Sequence, residues 1–556
     1  VSEHLLSLIC GLPLLAALVV LFAPRQMAAF IRNFTVFTML VVFGLSLRLF
    51  TGDYSTAAFQ FAERHVLVPA FGITYSIGVD GISLWLLLLT TFIMPVATYA
   101  SWTHIQTKVK EYAICLLVLE CAMLSAFVAL DLFLFYVFWE LMLVPMVLII
   151  GIWGGVQRIY ASVKFFLFTM VGSLLMLVAV LYLVAQYKAQ TGHYSFEMRD
   201  LKLLLLPATT QLWLFCAFAL AFAIKVPMFP VHTWLPDAHV QAPTGGSVIL
   251  AAIMLKMGTY GFLRFAMPLF PSGSHRASST LVLLAVIGIV YGAYCAWVQT
   301  DVKKLVAYSS VSHLGFVMLG ICSLSSHGVA GSILQMVNHG ISTGALFLLV
   351  GVIYERRHTR NLDEFGGLAK VMPDYALVFV IVAMSSVGLP ATNGFVGEFM
   401  ILAGAFMSDM LGKNGPIAAT IAATGVILAA IYMLHAVLKM FWGPLKNPEN
   451  EGLADLSGRE RLVLAPLLIL IFYFGLFPGR MLASITPSVD RFAVEYTSKL
   501  YAGNQHPEAR DLLREDYVPV GALAARGEAP VGALAARGEA PVGALAARGE
   551  AQGGAR

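Results

Sequence analysis

The stretch Ala223-Ile224-Lys225-Val226-Pro227-Met228-Phe229-Pro230 sets two prolines and a lysine inside an otherwise apolar run. Each proline removes a backbone donor and clashes with the turn before it, so a helix here breaks at about Lys225 and leaves free carbonyls beside an ammonium. A second such stretch, Val387-Gly388-Leu389-Pro390-Ala391-Thr392-Asn393-Gly394, interrupts a later apolar run, with Glu398 one or two turns beyond it. Interrupted helices at corresponding positions of two halves point to a midplane site between inverted repeats. The fold class they predict is an all-α, polytopic membrane protein with two inverted five-helix repeats, each containing one broken helix.

Composition agrees. Of the 556 residues, 59% are hydrophobic and only 12% charged, and mean hydropathy is +0.82. Soluble domains carry about 25% charged residues, so most of this chain needs a solvent other than water. The net charge of +4 is too small for a nucleic-acid surface. Cys10, Cys115, Cys121, Cys216, Cys295 and Cys322 all fall in apolar runs, with no CxxC pair and no His at ligand spacing. That spacing argues against iron-sulfur, zinc and disulfide-scaffold readings, and no metal is expected.

A span needs about 20 apolar residues. That ruler places helices near 4–23, 28–50, 76–100, 112–130, 132–150, 160–186, 210–228, 244–266, 279–299, 304–322, 328–353, 374–408, 416–441 and 461–478, about fourteen in all. The corresponding organisation is N-terminal helices over 1–111, a first repeat over 112–266, a second, inverted repeat over 279–441 and a last helix at 461–480. A short polar segment follows at 481–518. From Pro519 an eleven-residue unit, Pro-Val-Gly-Ala-Leu-Ala-Ala-Arg-Gly-Glu-Ala, runs three times in succession. Each unit offers one Leu to bury, too little to offset ordering, so 519–556 is expected to be a disordered appendage. Lys and Arg concentrate in the odd-numbered loops, which hold Arg25, Lys108, Lys110, Arg158, Lys303, Lys304, Arg356, Arg357, Arg360, Lys446 and Arg459. Those loops are then cytoplasmic and both termini periplasmic, in a bacterial inner membrane.

Charges at membrane depth are the candidates for function. Glu140 lies about 12 Å into its span. Lys256, His313 and His339 sit near the centres of theirs, and Lys225 and Glu398 lie beside the two breaks. Half a dozen such groups facing lipid would cost on the order of 15 kcal/mol, so they face the bundle interior, pair, or meet water. Glu120, also mid-span, is read as interhelical glue. The others together suggest a proton or ion path.

Phe138-Trp139-Glu140-Leu141-Met142-Leu143-Val144-Pro145, Lys225-Val226-Pro227 through His232-Thr233-Trp234-Leu235-Pro236-Asp237-Ala238-His239, and Leu255-Lys256-Met257-Gly258 carry a resemblance. With Tyr308-Ser309-Ser310-Val311-Ser312-His313 and Gly388-Leu389-Pro390, the chain over roughly 70–480 resembles the antiporter-like membrane subunits of respiratory complex I, the proton-translocating NADH-quinone oxidoreductase. Glu398 on the second broken helix is similar to the branch called chain M in bacteria and chain 4 in mitochondria, where other branches carry Lys. Another branch carries a long lateral helix after its last span, and 481–518 reads as too short and too charged for one. The repeat tail departs from the family pattern.

The resemblance implies proton translocation driven by quinone reduction elsewhere in the complex, with no cofactor in this chain. It implies an ion pair between Glu140 and Lys225, Lys256 as central carrier, Glu398 as the acid toward the far side, and His339 and His313 as bridges with water. Partners would be neighbouring antiporter-like subunits and lipids, with quinone and NADH met only through other subunits and no nucleic acid. A related cation/proton antiporter shares the same charges, and a purely structural subunit is a further alternative.

Overall fold

The computed structural model describes residues 4–445 and 447–502. Lys446, the part of the expected polar segment beyond Ala502 and the repeat tail at 519–556 lie outside the described residues. Among the described residues, twelve helices are long and apolar enough to cross a membrane, from Leu5–Phe22 to Asn414–Phe441. The run expected at 374–408 forms two short helices, Pro373–Val387 and Asn393–Phe406, and that at 461–478 forms Gly458–Leu476. The helices Thr244–Leu269 and Ser326–Arg357 are buried throughout their apolar windows, whereas Leu5–Phe22, Arg158–Thr191 and Asn414–Phe441 are less than half buried. Thr244–Leu269 and Ser326–Arg357 therefore form the centre of the bundle, and the residues they carry are the ones shielded from lipid.

Side-chain caps start the helices where the chain leaves a loop. Asp131 accepts from the Phe133 and Leu134 amides, Asp301 from those of Lys303 and Lys304, and Ser457 forms a capping box with Glu460. Each satisfies amide donors that a first helical turn leaves unpaired.

Loops contact one another in two separate sets, and the sets alternate along the chain. On one face Arg32 donates to the Ile105 carbonyl (2.5 Å), Lys110 to that of Ala23 (2.9 Å) and Lys303 to that of Ala242 (2.7 Å), while Arg356 pairs with Glu460 (2.7 Å). On the other, Arg64 pairs with Glu197, Lys202 with Glu495, and Ser326 donates to Asp490, each at 2.7 Å. Each long helix thus runs from one face to the other.

Two elements differ from the sequence expectation, and both lie on the second face. An antiparallel hairpin, Gln60–Val68 with Ile73–Val79, precedes the third span, which begins at Gly81 rather than 76. Gly72 closes the hairpin at φ +64°, and a Cβ there would lie 2.0 Å from the Tyr194 carbonyl oxygen, so no larger residue fits. The segment after 478 is not merely polar: Gly479–Ala502 is a strongly amphipathic helix, turned by 68° from Gly458–Leu476. Met481, Ile485, Val489, Phe492 and Tyr496 form its buried stripe at helical spacing. Ser488 accepts from the Gly81 amide (3.1 Å) and Ser484 from the Trp85 indole (2.7 Å), which seat the helix across the bundle end rather than through the membrane. Its charges lowered the average hydropathy and concealed this stripe.

Candidate functional site

Both breaks fall where proline and glycine predicted them. Ala208–Lys225 ends at the lysine, and the chain turns through Val226–Thr233 before Trp234–Gln241 continues. Gly388, at φ +85°, ends the first half of the other broken helix. The first break is packed tightly against the central helix: a Cβ on Gly258 would lie 2.7 Å from the Phe222 carbonyl oxygen. Lys256 lies two residues earlier on the same helix and turns its ammonium to a different face.

Lys256 has no exposed surface. Its Nζ donates to the Ala251 carbonyl (2.5 Å) and lies 2.7 Å from Nδ1 of His339. The helix takes a π turn over Leu250–Met254 just before the lysine, a local widening frequent at functional positions. His339 comes from the other fully buried helix, Ser326–Arg357. Its ring centroid is 5.9 Å from that of His313 at a steep angle of 63°. Nδ1 of His313 lies 2.8 Å from Oε1 of Glu398, which also accepts from Nε2 of Gln335 (3.0 Å). At the opposite edge of His313, Nε2 has the Tyr432 hydroxyl at 3.4 Å and that of Ser386 at 3.5 Å. Lys256, His339, His313 and Glu398 thus form a row across four helices.

Between the two imidazoles is a small cavity lined by His313, Gln335, Asn338, His339, Ser342 and Ser386 among others. It has room for about one water molecule. Three buried atoms around it, Nε2 of His339, Oε1 of Gln335 and Oδ1 of Asn338, have no partner among the described residues. Such atoms are normally satisfied by ordered water, so the cavity suits a water bridge between the rings. A neutral network borders it: Asn338 donates to the Asn393 carbonyl (2.6 Å), and Ser342 and Ser385 both reach Oδ1 of Asn393. These neutral residues carry no sequence signal of their own in an apolar run.

The first half corrects one expectation. Glu140 and Lys225 make no ion pair within 4.0 Å among the described residues, and Oε1 of Glu140 is buried without a hydrogen-bond partner. Lys225, also buried, places its ammonium 4.6 Å from the centre of the Trp139 ring. The indole adjoining Glu140 thus takes the position nearest the cation, a cation-π contact in a dry site.

Further polar groups were not anticipated as part of the site. His239 is fully buried, stacks on Phe347 with centroids 4.5 Å apart, and has no partner for either ring nitrogen among the described residues. Its only sequence signal was its place in the Trp-Leu-Pro-Asp-Ala-His run after the first break. Arg264, two turns beyond Lys256, pairs with Asp80 (2.5 Å) and donates to the Tyr260 hydroxyl (3.1 Å). That pair was hidden because each member sits at the end of an apolar run. Glu120 is buried apart from the row, and neither of its oxygens has a hydrogen-bond partner among the described residues.

This set of groups can receive a proton on one nitrogen of an imidazole and release it from the other. Among proteins of known kind, the chain is similar to a consistent group. A family profile described as NADH:quinone oxidoreductase/Mrp antiporter, TM, matches residues 129–437. NADH-quinone oxidoreductase subunit M of Rhodobacter capsulatus is 46% identical over 510 residues, 90% of this chain and 98% of the relative. NADH-ubiquinone oxidoreductase chain 4 of Arabidopsis thaliana is 42% identical over 482 residues, 86% of this chain and 94% of that one. Among solved structures, a chain of respiratory complex I from Thermus thermophilus with bound NADH superposes with a TM-score of 0.79 at 33% identity, covering 88% of this chain and 99% of its own length.

Proposed function

The chain belongs to the NADH:quinone oxidoreductase/Mrp antiporter transmembrane family, and from that premise we propose that it moves protons through Lys256, His339, His313 and Glu398. It is a membrane-arm subunit of the proton-translocating NADH-quinone oxidoreductase, beside other antiporter-like subunits, with the redox chemistry in other chains. The observation that carries the proposed path is the row of titratable groups at the bundle centre, with contacts of 2.7 and 2.8 Å at its two ends and a water-sized cavity at its middle.

Lys256 delivers a proton to Nδ1 of His339, and Nε2 of the same ring faces the cavity. A water passes a proton to Nε2 of His313, and Nδ1 of that ring releases it to Glu398. Each imidazole takes on one side and gives on the other, so net transfer follows when both rings return to their starting tautomers. Glu140 and Lys225 control the input. A carboxylate approaching a dry ammonium stabilises its charged form and retreat destabilises it, so a change in their separation drives the proton on Lys256 forward. The Trp139 contact suits a state in which the two are apart.

The repeats 112–266 and 279–441 then supply the two half-paths, the first ending at Lys256 and the second at Glu398. The odd-numbered loops face the cytoplasm of a bacterial inner membrane, and the hairpin and Gly479–Ala502 face the periplasm. The chain carries no redox cofactor of its own. Purification in mild detergent followed by identification of co-purifying chains tests the assembly, and NADH-driven acidification of vesicles without sodium tests the ion. Isolation free of redox subunits, or transport that requires sodium, would replace this function with that of a cation/proton antiporter.

A further inference from the structure

Outside the membrane-spanning helices, the hairpin brings three metal-ligating side chains to the start of the first helix. Glu63 and His65 are two residues apart on the first strand, so they share a face, while Arg64 points the other way to Glu197. His4 arrives from the turn that opens Leu5–Phe22. One nitrogen of each imidazole and one Glu63 oxygen all lie within 4.8 Å of one another. Nδ1 of His4 is 3.1 Å from Oε2 of Glu63. The group is not legible in the sequence, since His4 lies 59 positions before Glu63 and the Glu63-Arg64-His65 spacing supplies only two donors, on a strand that reads as a loop.

We propose that His4, Glu63 and His65 bind a first-row divalent cation of the zinc class, joining the start of the first helix to the hairpin. The fixed member is Glu63. Its side chain is buried, and Ser7 holds both carboxylate oxygens, its amide donating to Oε1 (3.1 Å) and its hydroxyl to Oε2 (2.6 Å). The Ser7 hydroxyl is in turn 2.9 Å from that of Tyr75. Hydrogen bonds behind a ligand are what aim it at a metal. The movable members are the two exposed histidines, whose rings are 6.2 Å apart. Among the described residues His65 otherwise makes only ring contacts, with His4 and Tyr75.

Zinc bonds of about 2.0–2.2 Å put tetrahedral donors roughly 3.4 Å apart, so a small rotation of the histidines closes the site. The metal then takes the place of the direct His4–Glu63 contact. Two imidazoles and one carboxylate favour zinc over magnesium or calcium, which prefer all-oxygen sets, and water completes the fourth position on the exposed side.

The test uses the assembled complex with the full chain. It is incubated with zinc chloride, freed of loosely held metal by gel filtration, and its zinc counted by mass spectrometry. His4→Ala and His65→Ala should each retain one zinc fewer per complex than wild type. Both replaced rings are exposed and neither belongs to the proton row, so assembly and NADH-driven pumping without added zinc should match wild type. Ser7→Ala should keep the site with about tenfold weaker zinc affinity, because the carboxylate loses its aim. Equal zinc in wild type and both histidine variants overturns the proposal, as does displacement of the zinc by an equal concentration of magnesium or calcium.

Discussion

Replacing Lys256 by Met removes the ammonium and keeps nearly all of the side chain's volume. Burying that charge costs about 2.5–3.5 kcal/mol on an insertion scale. Its bonds to the Ala251 carbonyl and to His339 offset this by about 1.5–3 kcal/mol each, the usual worth of hydrogen bonds to a charged group. Taking the difference, Lys256→Met should destabilise the chain by no more than about 3.5 kcal/mol and leave the complex assembled. Pumping should respond quite differently. Without a carrier the row is open at its input end, and NADH-driven proton uptake by proteoliposomes, normalised to assembled complex on a native gel, should fall at least tenfold. Lys256→Arg supplies the matching control. The guanidinium keeps a charge and donors in the same place but barely releases a proton, so it should assemble better than Met and pump no better. Pumping above about half of wild type in either variant would refute the carrier role, and loss of assembly in Met with normal pumping in Arg would assign Lys256 to structure.

Three further outcomes are expected. Glu140→Gln should cut pumping strongly with assembly intact, Glu140→Asp should retain part of it, and Lys225→Arg should do worse than Glu140→Asp, all measured by proton uptake; wild-type behaviour of Glu140→Gln would remove the input switch. Burial raises the Glu495 carboxyl, but Lys202 and Arg491 outweigh that and hold it at about 2, below the ordinary 4.5. Its contribution to docking the helix Gly479–Ala502 is on the order of 3 kcal/mol, complete above about pH 4.5 and lost as pH falls toward 2; hydrogen-exchange protection of that helix should fall across this window, and Glu495→Gln should lower it already at pH 6. Arg158 and Lys413 are both exposed, at the starts of the helices Arg158–Thr191 and Asn414–Phe441, so in a background without native cysteines Arg158→Cys should react with an impermeant thiol reagent only from the cytoplasm and Lys413→Cys only from the periplasm.

The membrane fold was legible because its signals are large and local. Apolar runs place the helices, and Pro227, Pro230, Gly388 and Pro390 place both breaks, since a backbone that cannot continue a helix leaves its mark in composition. Lys256, His313, His339 and Glu398 were legible as costly groups at depth, and the structure brings them together. What the sequence hid depends on distance or on averaging. The hairpin strand around Glu63 and His65, Gln60–Val68, is too short and too charged to satisfy a membrane-span ruler and lies between two runs that do, so it reads as a loop. The helix Gly479–Ala502 alternates charge with a narrow apolar stripe, so its mean hydropathy conceals it. No spacing rule fixes the distance between two side chains on different helices, which is why the absence of a close Glu140–Lys225 pair came only from the structure. Gln335, Asn338, Ser342 and Ser386 shape the cavity with neutral groups whose burial costs little once paired.

The row ends at Glu398, and the conservative change Glu398→Gln keeps the volume there while removing the charge that accepts from His313 and Gln335. Proton uptake per NADH oxidised, measured with a pH-sensitive dye inside proteoliposomes holding the assembled variant complex, should fall at least tenfold in initial rate. That corresponds to losing about 1.4 kcal/mol or more of the transfer step. Uptake at the wild-type rate and stoichiometry by Glu398→Gln would contradict a proton path through Lys256, His339, His313 and Glu398.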